Sequence, residues 1–231
     1  MDAEIDLQHA RKSSVLVELL SVATRSAPRD ILVVGCGSGL EAGILARHFE
    51  ARTVGIDLDT AGFDPRAAAP ATLVGMDARK LDFPAASFDL VFSFHALEHI
   101  PNPDLCLAEM NRVLRPGGYY LVGTPNKARL LGYLGSSTSL ANKIRWNLGD
   151  LRMRLAGKWS NEAGAHAGFT AAELAELCRR NFAGVPAEVS DSYYRRLYSS
   201  KKWAVDLMIC TGLRSIVFPC VYMYGAKPSA S

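Results

Sequence analysis

Short, continuous apolar runs alternate along this chain with stretches in which apolar residues recur at helical spacing. Ile31–Val34 is the first such run. A run without polar alternation marks a strand buried on both faces of a parallel sheet. Segments 53–56, 72–75, 88–93 and 119–122 repeat the pattern. Helical patterns lie between them. Residues 4–26 place Val15, Leu16, Leu19, Leu20 and Ala23 on one face before Pro28 stops the run. A helix after Gly39 turns Ile44, Leu45 and Phe49 inward. Pro65 and Pro70 make any helix in 61–71 short or irregular. Asn102 before Pro103 is a helix start, with Asn102 as the cap. That helix carries Leu105, Cys106, Met110, Val113 and Leu114 on its apolar face, and Pro116-Gly117-Gly118 reads as the turn that follows.

The second half is patterned differently. From Leu140 the apolar residues step through Ile144, Leu148, Leu151, Leu155 and Trp159, a single helical stripe with basic residues between. Gly149 and Gly157 each weaken that helix by about 1 kcal/mol relative to alanine. Thr170-Ala171-Ala172-Glu173 is a capping box. It opens a helix with Leu174, Leu177, Cys178 and Phe182 inward. A strand is expected at 187–193, the last helix at 199–213 and the final strand at 216–224. Alternation of this kind builds an α/β sheet with helices on both faces, and 127–165 reads as a helical lid inserted into it. The expected organisation is one domain over 1–231: N-terminal helix 4–26, core 29–126, insertion 127–165, and the rest of the sheet in 166–227. A chain of 231 residues suits it.

Composition adds limits. Hydrophobic residues at 49% and charged residues at 21% exclude global disorder. A formal net charge of +3 is too small to point to nucleic acid, and none is expected as a partner. Its distribution says more. Between Lys127 and Lys158, the basic residues Lys127, Arg129, Lys143, Arg145, Arg152, Arg154 and Lys158 face only one acidic residue, Asp150. The cysteines (Cys36, Cys106, Cys178, Cys210, Cys220) are scattered, odd in number and lack a C-x-x-C pair. They read as reduced thiols of a cytoplasmic protein, not as a disulfide frame or a zinc site. The acidic start, with Asp2, Glu4 and Asp6, has no signal-peptide pattern. Trp203–Tyr224 is interrupted by Asp206, Arg214 and Pro219, so it is a poor membrane span.

The candidate chemistry starts where the first strand ends. Val34 is followed by Gly35-Cys36-Gly37-Ser38-Gly39. Glycine lets a ligand lie against the backbone, and the amides of the next helix point into the turn. A dinucleotide fingerprint would need its third glycine at position 40, which is Leu40. Asp57 ends the second strand, 22 residues past Gly35. A carboxylate at that edge of the sheet can accept both hydroxyls of a ribose.

The G-x-G-x-G spacing resembles motif I of the class I AdoMet-dependent methyltransferases. Phe88-Asp-Leu-Val-Phe-Ser-Phe-His95, Glu98-His99 and Arg112-Val-Leu-Arg-Pro-Gly-Gly118 are similar to that family too. The resemblance runs from Ile31 to Asn126, resumes more weakly from His166, and is to the small-molecule, type 11 branch. It implies a Rossmann-like, seven-stranded, mostly parallel sheet with helices on both faces and an antiparallel last strand. It implies S-adenosyl-L-methionine as cofactor, held by Gly35, Cys36, Gly37, Gly39, Asp57, Leu58, Asp77, Ala78 and Phe94. Asp77 would accept from the adenine amine. The family often has an acidic residue two places before the first glycine. Here that residue is Val33, so the methionine amine must be recognised elsewhere.

Methyl transfer from a sulfonium mainly needs alignment, and a base if the nucleophile is a hydroxyl. His95, His99 and His166 are the base candidates. His95 comes first, because it follows the fourth strand and a neutral imidazole suits a base near neutral pH. Isolated histidines do not make a metal set. Ser93-Phe94-His95-Ala96 replaces the Asn/Asp-Pro-Pro-aromatic motif of amide and exocyclic-nitrogen methylation. The branch it resembles modifies small molecules, and the activity that resemblance implies is O-methylation of a hydroxyl on a sugar, lipid or secondary metabolite. The alternatives are a C- or N-methyltransferase of the same fold and a catalytically silent, methyltransferase-like partner subunit. An NAD(P)-dependent oxidoreductase is disfavoured by Leu40. The basic segment 140–158 suggests an anionic or lipid-linked acceptor, or peripheral membrane contact. The plainer reading makes its apolar stripe the roof of the pocket.

Overall fold

A computed structural model describes residues 2–24, 26–132 and 138–229, with side chains from Arg11 onward. Residue 25 of the expected 4–26 helix and residues 133–137 of the expected insertion lie outside the described residues.

The first helix, α1, spans Asp2–Ala23, and its Leu16 and Leu20 are fully buried. Strand β1 is Asp30–Val34. Helix α2 (Leu40–Phe49), strand β2 (Arg52–Asp57), the short helix α3 (Pro65–Ala68) and strand β3 (Thr72–Gly75) follow. Strand β4 is Phe88–Phe94, helix α4 Pro103–Val113 and strand β5 Leu114–Pro125. Helix α5 is Leu140–Leu155 and helix α6 Ala171–Asn181. Both halves of the capping box at α6 are formed, Glu173 N donating to Thr170 Oγ1 at 3.1 Å and Thr170 N to Glu173 Oε2 at 2.8 Å. Strand β6 (Ala187–Glu188), helices α7 (Ser190–Leu197), α8 (Lys202–Cys210) and α9 (Arg214–Val217), and strand β7 (Cys220–Ala226) complete the chain.

The strands form one seven-stranded sheet in the order β3-β2-β1-β4-β5-β7-β6. β1 to β5 run parallel, and β7 is antiparallel to both β5 and β6. Alternate residues of β1 feed two cores. Ile31 and Val33 pack with α1, α2 and α7, while Leu32 and Val34 pack with α4 and α6. A strand covered on both faces has no polar position to spare, which is why this run reads as continuous. The order reverses between β1 and β4, so a crevice opens at their carboxyl ends.

Five expectations are corrected. Most of the 187–193 strand is helix, because Ser190, Tyr193, Tyr194 and Leu197 are buried at helical spacing. The helix expected at 199–213 stops at Cys210, and Gly212 adopts positive φ just beyond it. The last strand starts at Cys220, after α9 and Pro219. Pro116-Gly117-Gly118 is an irregularity inside β5, where the pairing with β4 jumps from Phe88↔Leu114 to Leu90↔Tyr119. Asn102 also differs from its expected role. It sits at φ 56° and its side chain makes no capping hydrogen bond.

Candidate functional site

The glycine turn is pinned to β2. Gly35 N and Cys36 N both donate to Ile56 O at 2.9 Å. Gly37 N donates to Asp57 Oδ2 at 2.9 Å, and Asp59 N donates to Asp57 Oδ1 at 3.0 Å. Asp57 thus shapes both loops while its carboxylate faces the crevice. At Gly37 a Cβ would meet nothing within 4 Å, and φ is +50°. The turn is therefore open to a ligand on that side. Gly39 serves packing instead, since a Cβ there would lie 2.8 Å from Ala68 and Leu73.

The crevice encloses about 330 Å³. Gly35, Gly37, Asp57, Leu58, Asp77 and Ala78 line it together with His95 and His99. Three expected cofactor residues do not line it. Cys36 is buried beneath the turn, its thiol pushed up to about 12 by burial and by the Asp57 carboxylate. Gly39 is held against α3 and β3. Phe94 faces a second cavity. Asp77 carries a bidentate ion pair with Arg79, with Nη2 to Oδ2 at 2.7 Å and Nε to Oδ1 at 3.0 Å. This pairing holds the Asp77 carboxyl down at about 2.

The second cavity, about 450 Å³, lies beside the first. Phe94, Tyr193, Tyr194, Tyr198 and Tyr222 form an aromatic wall, and Lys12 and Arg129 bring positive charge. His95 and His99 line both cavities, so they form the partition between them. His166 lines the second cavity, its ring centroid 4.4 Å from that of His99. All three candidate histidines are therefore brought together, although His166 lies far along the chain. The residue that organises them is Glu98. Its side chain is 2% exposed, with Oε1 3.4 Å from His95 Nδ1 and 3.9 Å from His99 Nε2. Cys220 Sγ lies 3.4 Å from His95 Nε2.

The neutral imidazole expected at His95 is not what these neighbours favour. Burial opposes the charge, but the Cys220 thiolate and the Glu98 carboxylate outweigh it and raise the His95 pKa above its ordinary value, while His95 draws the Cys220 thiol down in return. His95 also has φ +54°, with its amide donating to Gly123 O at 2.9 Å. A side chain held in that region of φ is over-determined by its surroundings.

Sequence reasoning missed Glu98 as the partner of the histidines, and Cys220 and the tyrosines altogether. For the tyrosines there was a signal, the helical spacing of Ser190, Tyr193, Tyr194 and Leu197. Cys220 reaches His95 only through the pairing of β5 with β7, which no local pattern announces.

Comparison with known proteins decides between the readings of this crevice. Residues 32–122 match the methyltransferase domain family of type 11. Residues 32–122 thus carry a methyltransferase domain. Its cofactor is S-adenosyl-L-methionine. A probable S-adenosylmethionine-dependent methyltransferase of Mycolicibacterium smegmatis is 38% identical over 122 residues, 51% of this chain and 45% of that protein. A fatty-acid O-methyltransferase of the same organism is 41% identical over 96 residues, 39% of this chain and 35% of that protein. The chain thus spans less than half the length of these curated relatives. The plantazolicin methyltransferase BpumL, solved with SAH, superposes with a TM-score of 0.62 at 14% identity, covering 97% of this chain and 85% of that one. That likeness is one of fold. The methyltransferase domain places its crevice where the strand order reverses, and the donor set there suits a nucleoside. Among the described residues no cluster suited to a metal ion is present, and no helix is long and apolar enough to cross a membrane.

Proposed function

We propose that this chain is an AdoMet-dependent methyltransferase that O-methylates a small molecule: a lipid, a sugar or a secondary metabolite. One observation carries the reading. The cofactor crevice and the aromatic cavity share a wall made of His95 and His99. An acceptor seated in the second cavity meets the first only at these side chains. When bound, the cofactor supplies an electrophilic methyl on a sulfonium leaving group. Gly35 and Gly37 would support its methionine end, Asp57 its ribose, and the Ala78 amide the adenine edge. The Asp77 carboxylate can also meet the adenine amine, in competition with Arg79.

His95 then holds the acceptor rather than taking its proton. An imidazolium is a donor, and it suits an oxygen that arrives as an anion, such as a carboxylate or an acidic hydroxyl. Lys12 and Arg129 act in the same sense. A third cavity of about 240 Å³ shares Tyr194, Tyr198 and Pro219 with the second and is lined further by Leu131, Val205, Met208 and Val217. It offers room for an apolar tail behind an anionic head. These features support an anionic, lipid-like acceptor.

The test is a panel of carboxylate, phenol and aliphatic-alcohol acceptors incubated with methyl-labelled AdoMet, with products identified by mass spectrometry. Labelled methyl esters or methyl ethers are expected. Isothermal titration runs beside it. Tight NADH binding without AdoMet binding would overturn the reading.

A further inference from the structure

Helix α5 is amphipathic the wrong way round for a helix that packs on a core. A surface helix normally turns its apolar stripe inward. Here the inward side is polar. Asn147 Oδ1 accepts from Gly132 N at 2.7 Å, and its amide donates to Gly132 O at 3.2 Å. Asp150 pairs with Arg129 at 3.5 Å. Arg154 donates to Lys127 O at 2.9 Å and lies over the Trp159 ring. The apolar residues face away. Leu140, Ile144, Leu148, Leu151 and Leu155 are between 49% and 81% exposed, and α5 buries no residue. None of them lines the cavities described above, so the stripe does not roof the pocket.

We propose that this outward face of α5 seats the protein on an anionic lipid surface. The leucines would enter the boundary between headgroups and chains, and Arg145, Arg152 and Lys158 would meet the lipid phosphates. Charge chooses this occupant. At 100° per residue, Arg145 and Arg152 border the stripe on one side, and both are exposed, as is Lys158. The one carboxylate of α5, Asp150, is turned inward onto Arg129. A second copy of the chain would bring the same cations to the same contact, because a two-fold interface is self-complementary. An anionic leaflet attracts both parts of the face. The position is also apt. α5 docks on the loop that supplies Arg129 to the acceptor cavity and Leu131 to the apolar one.

Flotation with vesicles tests this without any methyl acceptor, so its outcome is independent of the methyltransferase reading. Vesicles of phosphatidylcholine alone are compared with equal parts phosphatidylcholine and phosphatidylglycerol. Binding only to the anionic vesicles, weakened by salt, is expected. Arg145→Gln with Arg152→Gln leaves the stripe intact and should weaken binding about thirtyfold. Leu148→Ser with Leu151→Ser should weaken it at least about tenfold. Unchanged circular dichroism and AdoMet affinity in both variants show that the fold survives. The proposal is overturned if neither vesicle binds, if both bind equally, or if the arginine variant binds like the wild type. It is equally overturned if sedimentation shows a dimer that the leucine variant dissociates while vesicle binding persists.

Discussion

Asp57→Asn tests the centre of the cofactor site. The wild-type carboxylate already accepts from Gly37 N at 2.9 Å and from Asp59 N at 3.0 Å, one bond on each oxygen. Each oxygen keeps lone-pair capacity for a ribose hydroxyl. Asparagine has nearly the same shape but only one accepting oxygen and no charge. The oxygen can stay on Gly37, leaving the amide nitrogen opposite Asp59 N. On the ligand side, a hydrogen bond to a charged group is lost, worth about 1.5–3 kcal/mol. That corresponds to about a 10- to 150-fold rise in Kd for AdoMet. On the protein side, one exposed loop amide loses its partner to water, which costs about 1 kcal/mol or less. Isothermal titration with AdoMet and with S-adenosylhomocysteine reads the first effect. Thermal unfolding of the ligand-free protein reads the second. An AdoMet Kd within twofold of the wild type, in a variant that still folds, would refute the ribose role and the geometry built on it.

Three further outcomes follow. His95 is shifted up from 6.5 and Cys220 down from 9.0 by each other, so folding moves a proton from the thiol to the imidazole without changing the number the pair holds between those two values, and the pair leaves stability level there. The unfolding midpoint should hold level over that window in the wild type and fall across it in Cys220→Ser, where His95 is raised by Glu98 without a compensating thiol; identical profiles would remove the charged pair. Tyr194→Phe strips the hydroxyl that accepts from Cys220 N at 2.9 Å, leaving a buried amide unpaired, and should lower stability to urea by about 1–3 kcal/mol. Asn126 is 2% exposed and donates to Ser215 O at 2.8 Å and to Phe218 O at 2.9 Å. Asn126→Ala should therefore cost about 2–4 kcal/mol, with AdoMet affinity preserved in the folded fraction.

The crevice at the ends of β1 and β2 was legible because its signals are local. A buried parallel strand must be continuously apolar, and a turn open to a ligand needs glycine. A carboxylate that meets a ribose must end the neighbouring strand. Ile31–Val34, Gly35, Gly37 and Asp57 satisfy these needs within 27 consecutive residues. The limits of local reading show at Gly39 and Cys36, where the same motif serves packing.

The neighbouring aromatic cavity, apart from its three histidines, was decided by tertiary structure. Glu98 turns toward two histidines because the chain after β4 winds into one tight turn against β5. Cys220 reaches His95 because β7 returns antiparallel along β5. The tyrosine wall exists because Ser190–Leu197 folds as a helix, a conformation its neighbours impose and its own propensity leaves open. The sequence likewise determined that α5 would be amphipathic, but not which face would look outward. That was decided by Lys127–Gly132, whose backbone carbonyls and amides, outside any strand, bind Asn147 and Arg154, which leucine cannot replace. Periodicity reports that two faces differ; only the surface a helix lands on decides which is buried.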